Sequence, residues 1–198
     1  MPCLPGRDAR VDEPPCSDMV SLVEDLAQEK LLLDAPYALF GHSMGAFIAF
    51  DLAQTLTELG NPPAHLFVSG QRGPRLPYPG KPIYALPEDK FLDGVLERYS
   101  NIPEQILQQK DLMAILLRAL RADFTLTEAY RYRAVSPLTC PITAFGGVKD
   151  QHIPRELLEA WAVETTNRFR LHFLPGGHFF PQESREALLS LIRADLDA

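Results

Sequence analysis

Tyr37-Ala-Leu-Phe-Gly41-His-Ser43-Met-Gly45-Ala46 is a short apolar run that passes without a break into a Gly-x-Ser-x-Gly pattern. The run Tyr37 to Gly41 reads as a fully buried strand. Ala46 to Leu59 reads as a helix stopped by Gly60-Asn-Pro-Pro63. Ala64 to Ser69 (AHLFVS) then supplies a second buried strand. Strand, helix and strand on such short connections make a βαβ unit, whose parallel strands are apolar throughout because helices cover both faces.

The same reading extends in both directions. Residues 1–16 are rich in proline and charge and read as loop. Ser17 is placed to N-cap a helix with apolar positions Met19, Leu22, Val23, Leu26, Leu31 and Leu32, ended by Pro36. Gly70 to Lys81 reads as an irregular loop, and Glu88 to Arg133 as consecutive helices broken near Asn101-Ile-Pro103. Pro141 to Phe145 returns to strand character. Pro154 to Glu164 is helical, Phe169 to Leu174 a last strand, and Glu183 to Leu196 a terminal helix. The expectation is one α/β domain, residues 1–198, with a mainly parallel sheet and a helical lid inserted at about residues 88–133.

At 198 residues with 46% hydrophobic content, the chain can close one core and carries no apolar run long enough for a membrane helix. Nineteen Lys and Arg against 26 Asp and Glu give a net charge of −7, which disfavours nucleic acid and anionic membrane surfaces as partners. Cys3, Cys16 and Cys140 are odd in number and lack metal-ligand spacing, so no disulfide framework, metal or nucleotide site is expected. The N-terminal residues hold no apolar signal segment, and the expected location is the cytoplasm.

Chemistry enters at Ser43. A Gly-x-Ser-x-Gly turn between a strand and a helix is a nucleophile elbow: small residues on either side let strand and helix approach, and the helix N-terminus favours negative charge beside the serine. A serine hydroxyl needs a base, and the base an orienting carboxylate, in the chain order serine, acid, histidine. Asp150, after the strand ending at Phe145, and His178, in Pro175-Gly-Gly-His178, stand on loops at the strand ends where open α/β sheets place ligands. A serine that merely caps a helix, a turn aspartate and a solvated loop histidine are the alternatives for Ser43, Asp150 and His178. His42, His65, His152 and His172 are weaker candidates. Asp123, inside the helical insertion, reads as a residue holding that insertion together.

Taken with Leu4 to Pro14 (LPGRDARVDEP), His65 to Gly70 (HLFVSG), Leu120 to Phe124 (LRADF), Gly146-Gly147 with Asp150, and Leu174 to Phe180 (LPGGHFF), the elbow resembles the type II thioesterases of nonribosomal peptide and polyketide synthases, which are α/β-hydrolases. The resemblance implies Ser43 as nucleophile, Asp150 as acid, His178 as base and the Met44 N–H as an oxyanion donor. It implies hydrolysis of acyl or aminoacyl thioesters that edits misprimed or stalled synthases. No cofactor is implied, because the substrate rides on the phosphopantetheine of an acyl or peptidyl carrier protein, and monomer is the family's usual form. Release of medium-chain fatty acid from fatty-acid synthase is the alternative within the same chemistry.

Members of this family carry, before the motif matched at Leu4, a first strand and a glycine-containing loop that gives the second oxyanion N–H. The chain begins three residues before Leu4, so an N-terminally truncated fold with an uncovered sheet edge is expected. Losing one oxyanion donor costs about 100 to 1,000-fold in turnover, which leaves a non-catalytic carrier-protein binder as a further alternative. Arg118, Arg121, Arg131 and Arg133 are candidates for carrier docking or for a solvated helix face. The apolar residues Phe91, Leu92, Leu96, Leu112, Ile115, Leu116 and Leu120 fit either an acyl channel or helix packing.

Overall fold

A computed structural model of the chain describes residues 3–28, 36–98, 109–133 and 136–197. Leu31, Leu32 and the expected break at Asn101-Ile-Pro103 lie outside the described residues. Two compact units result: Met1–Leu22 with Tyr78–Tyr130, and Val23–Pro77 with Arg131–Ala198. In chain order the elements are α1 (Met19–Ala27), β1 (Ala38–His42), α2 (Met44–Glu58), β2 (His65–Ser69), α3 (Glu88–Arg98), α4 (Lys110–Glu128), β3 (Ile142–Gly147), α5 (Arg155–Glu159), β4 (Phe169–Leu174), α6 (Phe180–Glu183) and α7 (Arg185–Leu196).

Helix α1 begins one residue later than Ser17 would dictate. The Asp18 carboxylate accepts the Ser21 N–H at 2.9 Å and the Ser21 hydroxyl at 2.6 Å. A charged acceptor satisfies the orphan N–H groups of a first turn at least as well as a hydroxyl, and Asp18 takes the capping role.

The second unit holds a four-stranded sheet in the order β1-β2-β3-β4 with every neighbouring pair parallel. All residues of β2 and β3 are buried, as strands covered on both faces must be. Strand β1 stands at an edge of the sheet, in line with the uncovered edge expected from the sequence and short of the full burial its apolar run suggests: it has β2 as its one partner among the described residues, and Phe40 is 44% exposed. An apolar strand sequence reads the same in the centre of a sheet as at its edge.

Helix α2 is buried along most of its length, with Ala46, Ala49 and Ala53 small enough for close approach. Its Phe50 meets the fully buried Trp161 edge to face, ring centroids 5.5 Å apart. A further cluster joins Phe67, Phe145 and Leu174 of the sheet to Phe180 and Leu188 of the two last helices. Burying each of these large side chains contributes about 1.5 to 3 kcal/mol. A polar string ties α7 to the sheet: His65 Nε2 and Asp195 Oδ2 both bond Thr143 Oγ1, and Arg170 pairs with Asp195.

In the first unit, Ile83, Phe91, Val95, Met113, Leu117 and Phe124 form the core, with Leu92, Leu116 and Leu120 packed against it. Four of the seven apolar residues left open by the sequence therefore pack in this cluster, while Leu112 and Ile115 are exposed. Glu128 accepts the N–H groups of Ile83 and Tyr84 and pairs with Arg98. Arg7 bonds Asp123 through two N–H groups, at 2.6 and 3.1 Å, which ties the N-terminal segment to α4. Arg121 is not a free surface cation: it donates to the Leu86 and Tyr84 carbonyls and lies 4.2 Å from the centre of the Phe91 ring.

Candidate active site

The elbow is built by backbone geometry before any side chain acts. Ser43 has φ 53° and ψ −123°, a conformation an L residue adopts only at a cost of about 1 to 3 kcal/mol. Its N–H donates to the Ser69 carbonyl at 2.8 Å, which fixes the turn against the end of β2. The helix begins at once, at Met44, so the Met44 N–H is among the first-turn donors that a helix leaves without an internal partner. The sequence assigned the close approach of strand and helix to both flanking glycines. A side chain at Gly41 would strike the Gly45 backbone, whereas a Cβ on Gly45 would meet nothing within 4 Å among the described residues outside its own helix backbone, so the approach depends on Gly41.

Asp150 and His178 come from loops that are laced together. After β3, the Val148 N–H donates to the Leu174 carbonyl and the Lys149 N–H to the Gly176 carbonyl, each at 2.9 Å. Gly147 permits this contact, since a Cβ there would lie 2.3 Å from the Gly177 carbonyl oxygen. Gly176, at φ +120°, turns the chain so that His178 faces Asp150.

Ser43, His178 and Asp150, 135 and 28 residues apart in the chain, stand in one hydrogen-bonded row. His178 Nε2 lies 3.1 Å from Ser43 Oγ, and His178 Nδ1 lies 2.8 Å from Asp150 Oδ2. Asp150 Oδ1 accepts the N–H groups of His152 and Ile153 at 2.9 and 3.3 Å. Burial alone would raise the Asp150 carboxyl above its ordinary value, but the bonds from His178, His152 and Ile153 hold it below. The row therefore contains a carboxylate, an imidazole with one nitrogen toward that carboxylate, and a hydroxyl facing the other nitrogen.

Of the other candidates, Asp123 is paired with Arg7, His65 is buried against Thr143, and His172 stacks on Phe145. His42 lies beside the row with its ring 5.0 Å from that of His178, and its Nδ1 is 2.9 Å from Ser69 Oγ. Burial first, and then the neighbouring His178, lower the His42 pKa to about 4. Ser69 and Gly70 end the His65 to Gly70 motif, but the sequence gives neither of them a role. The signal for them was the Ser-Gly pair closing β2, with Gly70 at φ +59° and a Cβ there 2.7 Å from His42 Cε1. Among the described residues there is no cluster of three or more His, Cys, Asp or Glu able to hold a metal ion. No helix among them is long and apolar enough to cross a membrane.

Comparison with known proteins places these features in a family. The family described as thioesterase domain matches residues 3–196. The gramicidin S biosynthesis protein GrsT of Aneurinibacillus migulanus is 40% identical over 191 residues, covering 96% of this chain and 74% of GrsT. The type II thioesterase BorB from the borrelidin biosynthetic cluster superposes with a TM-score of 0.84 at 32% identity, over 98% of this chain and 77% of BorB. ClbQ, from the colibactin NRPS/PKS pathway, gives 0.87 at 31% identity, over 98% of this chain and 84% of ClbQ.

Proposed function

The chain belongs to the thioesterase domain family, and on that premise we propose that it hydrolyses acyl or aminoacyl thioesters held on the carrier proteins of nonribosomal peptide or polyketide synthases, clearing misprimed or stalled groups. The observation that carries this reading is the row Ser43, His178, Asp150 with His178 Nε2 3.1 Å from Ser43 Oγ. The names of GrsT and ClbQ, which concern those proteins, support the synthase context.

The roles follow from the atoms. His178 carries its proton on Nδ1, bonded to Asp150, so Nε2 can accept the Ser43 proton as Oγ attacks the thioester carbonyl. The Oγ–C bond forms and negative charge collects on the carbonyl oxygen, which the Met44 N–H and the N-terminal end of α2 stabilise. The C–S bond then breaks, and the sulfur leaves as a thiol with the proton from His178. Water attacks the acyl-serine while His178 accepts a proton from it, and breaking the Oγ–C bond returns that proton to Ser43. Asp150 keeps the imidazole in the required tautomer and offsets the charge of the imidazolium. A thiol with pKa near 8.5 leaves more readily than an amine, so this site needs less help from its acid than a protease does.

The test is turnover of a short acyl thioester and of an acylated carrier protein, beside Ser43→Ala, with a serine-directed phosphonate as label. Turnover that falls at least about 10³-fold in Ser43→Ala, with label on Ser43 alone, is the expected result. In Asp150→Asn, kcat should fall by about 10³ to 10⁴-fold, because the tautomer is lost. An unlabelled, inert wild-type chain would overturn the reading in favour of carrier binding without catalysis. Preference for medium-chain over short acyl groups would instead favour fatty-acid release.

A further inference from the structure

Ser69 grips the elbow twice. Its carbonyl oxygen accepts the Ser43 N–H at 2.8 Å, and its Oγ lies 2.9 Å from His42 Nδ1. Ser69 is completely buried and pairs with His42 across the parallel β1 and β2 register. The His42 ring is thereby fixed at one nitrogen, and its Nε2 is buried with no hydrogen-bond partner among the described residues. Whichever tautomer His42 holds, the far side of the ring contributes shape and, among the described residues, no hydrogen bond.

That shape is fitted to His178. The two rings stand 5.0 Å apart at 44°, and Phe180 meets His42 edge-on with centroids 5.8 Å apart. On another side, Gly70 leaves no room: a Cβ there would come within 2.7 Å of His42 Cε1 and 3.4 Å of His178 Cε1. His42 thus fills the space beside the imidazole, while Asp150 and Ser43 hold its two nitrogens. Hydrogen bonds at the two nitrogens leave a ring free to rock about the line joining them; a packed neighbour removes that freedom.

We infer that His42, anchored by Ser69, is a positioning residue for the reaction: a packed wall that keeps the His178 imidazole aligned between Asp150 and Ser43. The inference rests on the thioesterase reading above. An uncharged His42 is required for the role, because a second imidazolium 5.0 Å away would oppose protonation of His178 during catalysis. The depressed pKa of His42 fits that requirement.

The test is a double-mutant cycle of His42→Ala and Ser69→Ala, with kcat and KM for the short acyl thioester and the low-field proton resonance of His178 Nδ1–H. That resonance is assigned by its loss in Asp150→Asn. His42→Ala should lower kcat by about 10 to 100-fold, the scale of a misplaced catalytic group, with KM within about twofold. Ser69→Ala should lower kcat by about 3 to 10-fold, and the double variant should match His42→Ala, because Ser69 acts through His42. The resonance should broaden in both single variants. Unchanged kcat and an unchanged resonance in His42→Ala would overturn the inference, as would fully additive losses in the cycle. If His42→Ala does not fold, His42→Gln, which retains a group able to bond Ser69 but no ring, should show the same kcat loss; full activity in it would overturn the inference. The resonance requires no turnover, so an inert wild-type chain with a sharp resonance that broadens in His42→Ala would sink the thioesterase reading while leaving the alignment by His42 standing.

Discussion

Gly41 and Gly45 approach so closely that a Cβ on Gly41 would lie 1.9 Å from the Gly45 carbonyl oxygen, while a Cβ on Gly45 would touch nothing within 4 Å among the described residues outside its own helix backbone. The two glycines of the motif are therefore unequal. Gly41→Ala forces strand and helix backbones apart and should cost about 3 kcal/mol or more of stability, with at least a 100-fold loss of thioester turnover. Gly45→Ala should fold with wild-type stability or gain up to about 1 kcal/mol from the reduced freedom of the unfolded chain. Urea unfolding of the two variants side by side checks this, and equal losses would contradict it.

Stability should fall in mildly acidic solution because of His42. In the folded chain it stays neutral down to about pH 4, whereas in the unfolded chain it takes a proton near 6.5. Below that pH the unfolded state binds more protons than the native one, so stability drops as pH falls from about 6.5 to 4. The full contribution is about 3 kcal/mol. Unfolding of wild type and His42→Phe at pH 7 and pH 4.5 measures it: the variant should lose less stability over that interval, and parallel losses would refute the assignment.

The pair Arg7 and Asp123 should show the asymmetry of charges partly withdrawn from water. Burial raises the Asp123 carboxyl above its ordinary range and outweighs the lowering by Arg7, so the carboxylate depends on its partner. With each side chain about a quarter exposed, solvent screens part of the interaction, and Arg7→Met should cost about 1 to 3 kcal/mol at pH 7. Adding Asp123→Leu should restore most of that loss. A double-mutant cycle in urea decides the matter, and strictly additive losses would show the pair to be uncoupled.

Much of this arrangement was legible in the residues because the chemistry names its own parts. A hydroxyl that must be activated calls for an imidazole and a carboxylate, and parallel strands deliver loops to one edge, so Ser43, Asp150 and His178 could be selected although 135 residues separate the first from the last. Ser69 could not, because a serine closing an apolar strand carries no sign that its carbonyl and hydroxyl will serve two different neighbours. Phe40 is exposed because β1 stands at the sheet edge: burial is set by what lies beside a strand, and its own residues do not report that. Asp18 and Ser17 differ by one position, below the precision with which helix ends can be read.

Ser43, held at φ 53°, puts durability and reactivity in opposition at a single residue. Glycine accepts that backbone without strain, so Ser43→Gly should unfold later than the natural chain, by up to about 2 kcal/mol, and should be inert. A search that rewards heat resistance alone would discard the Ser43 hydroxyl early. The nucleophile role proposed for Ser43 gives this tense turn a use that stability alone would not preserve.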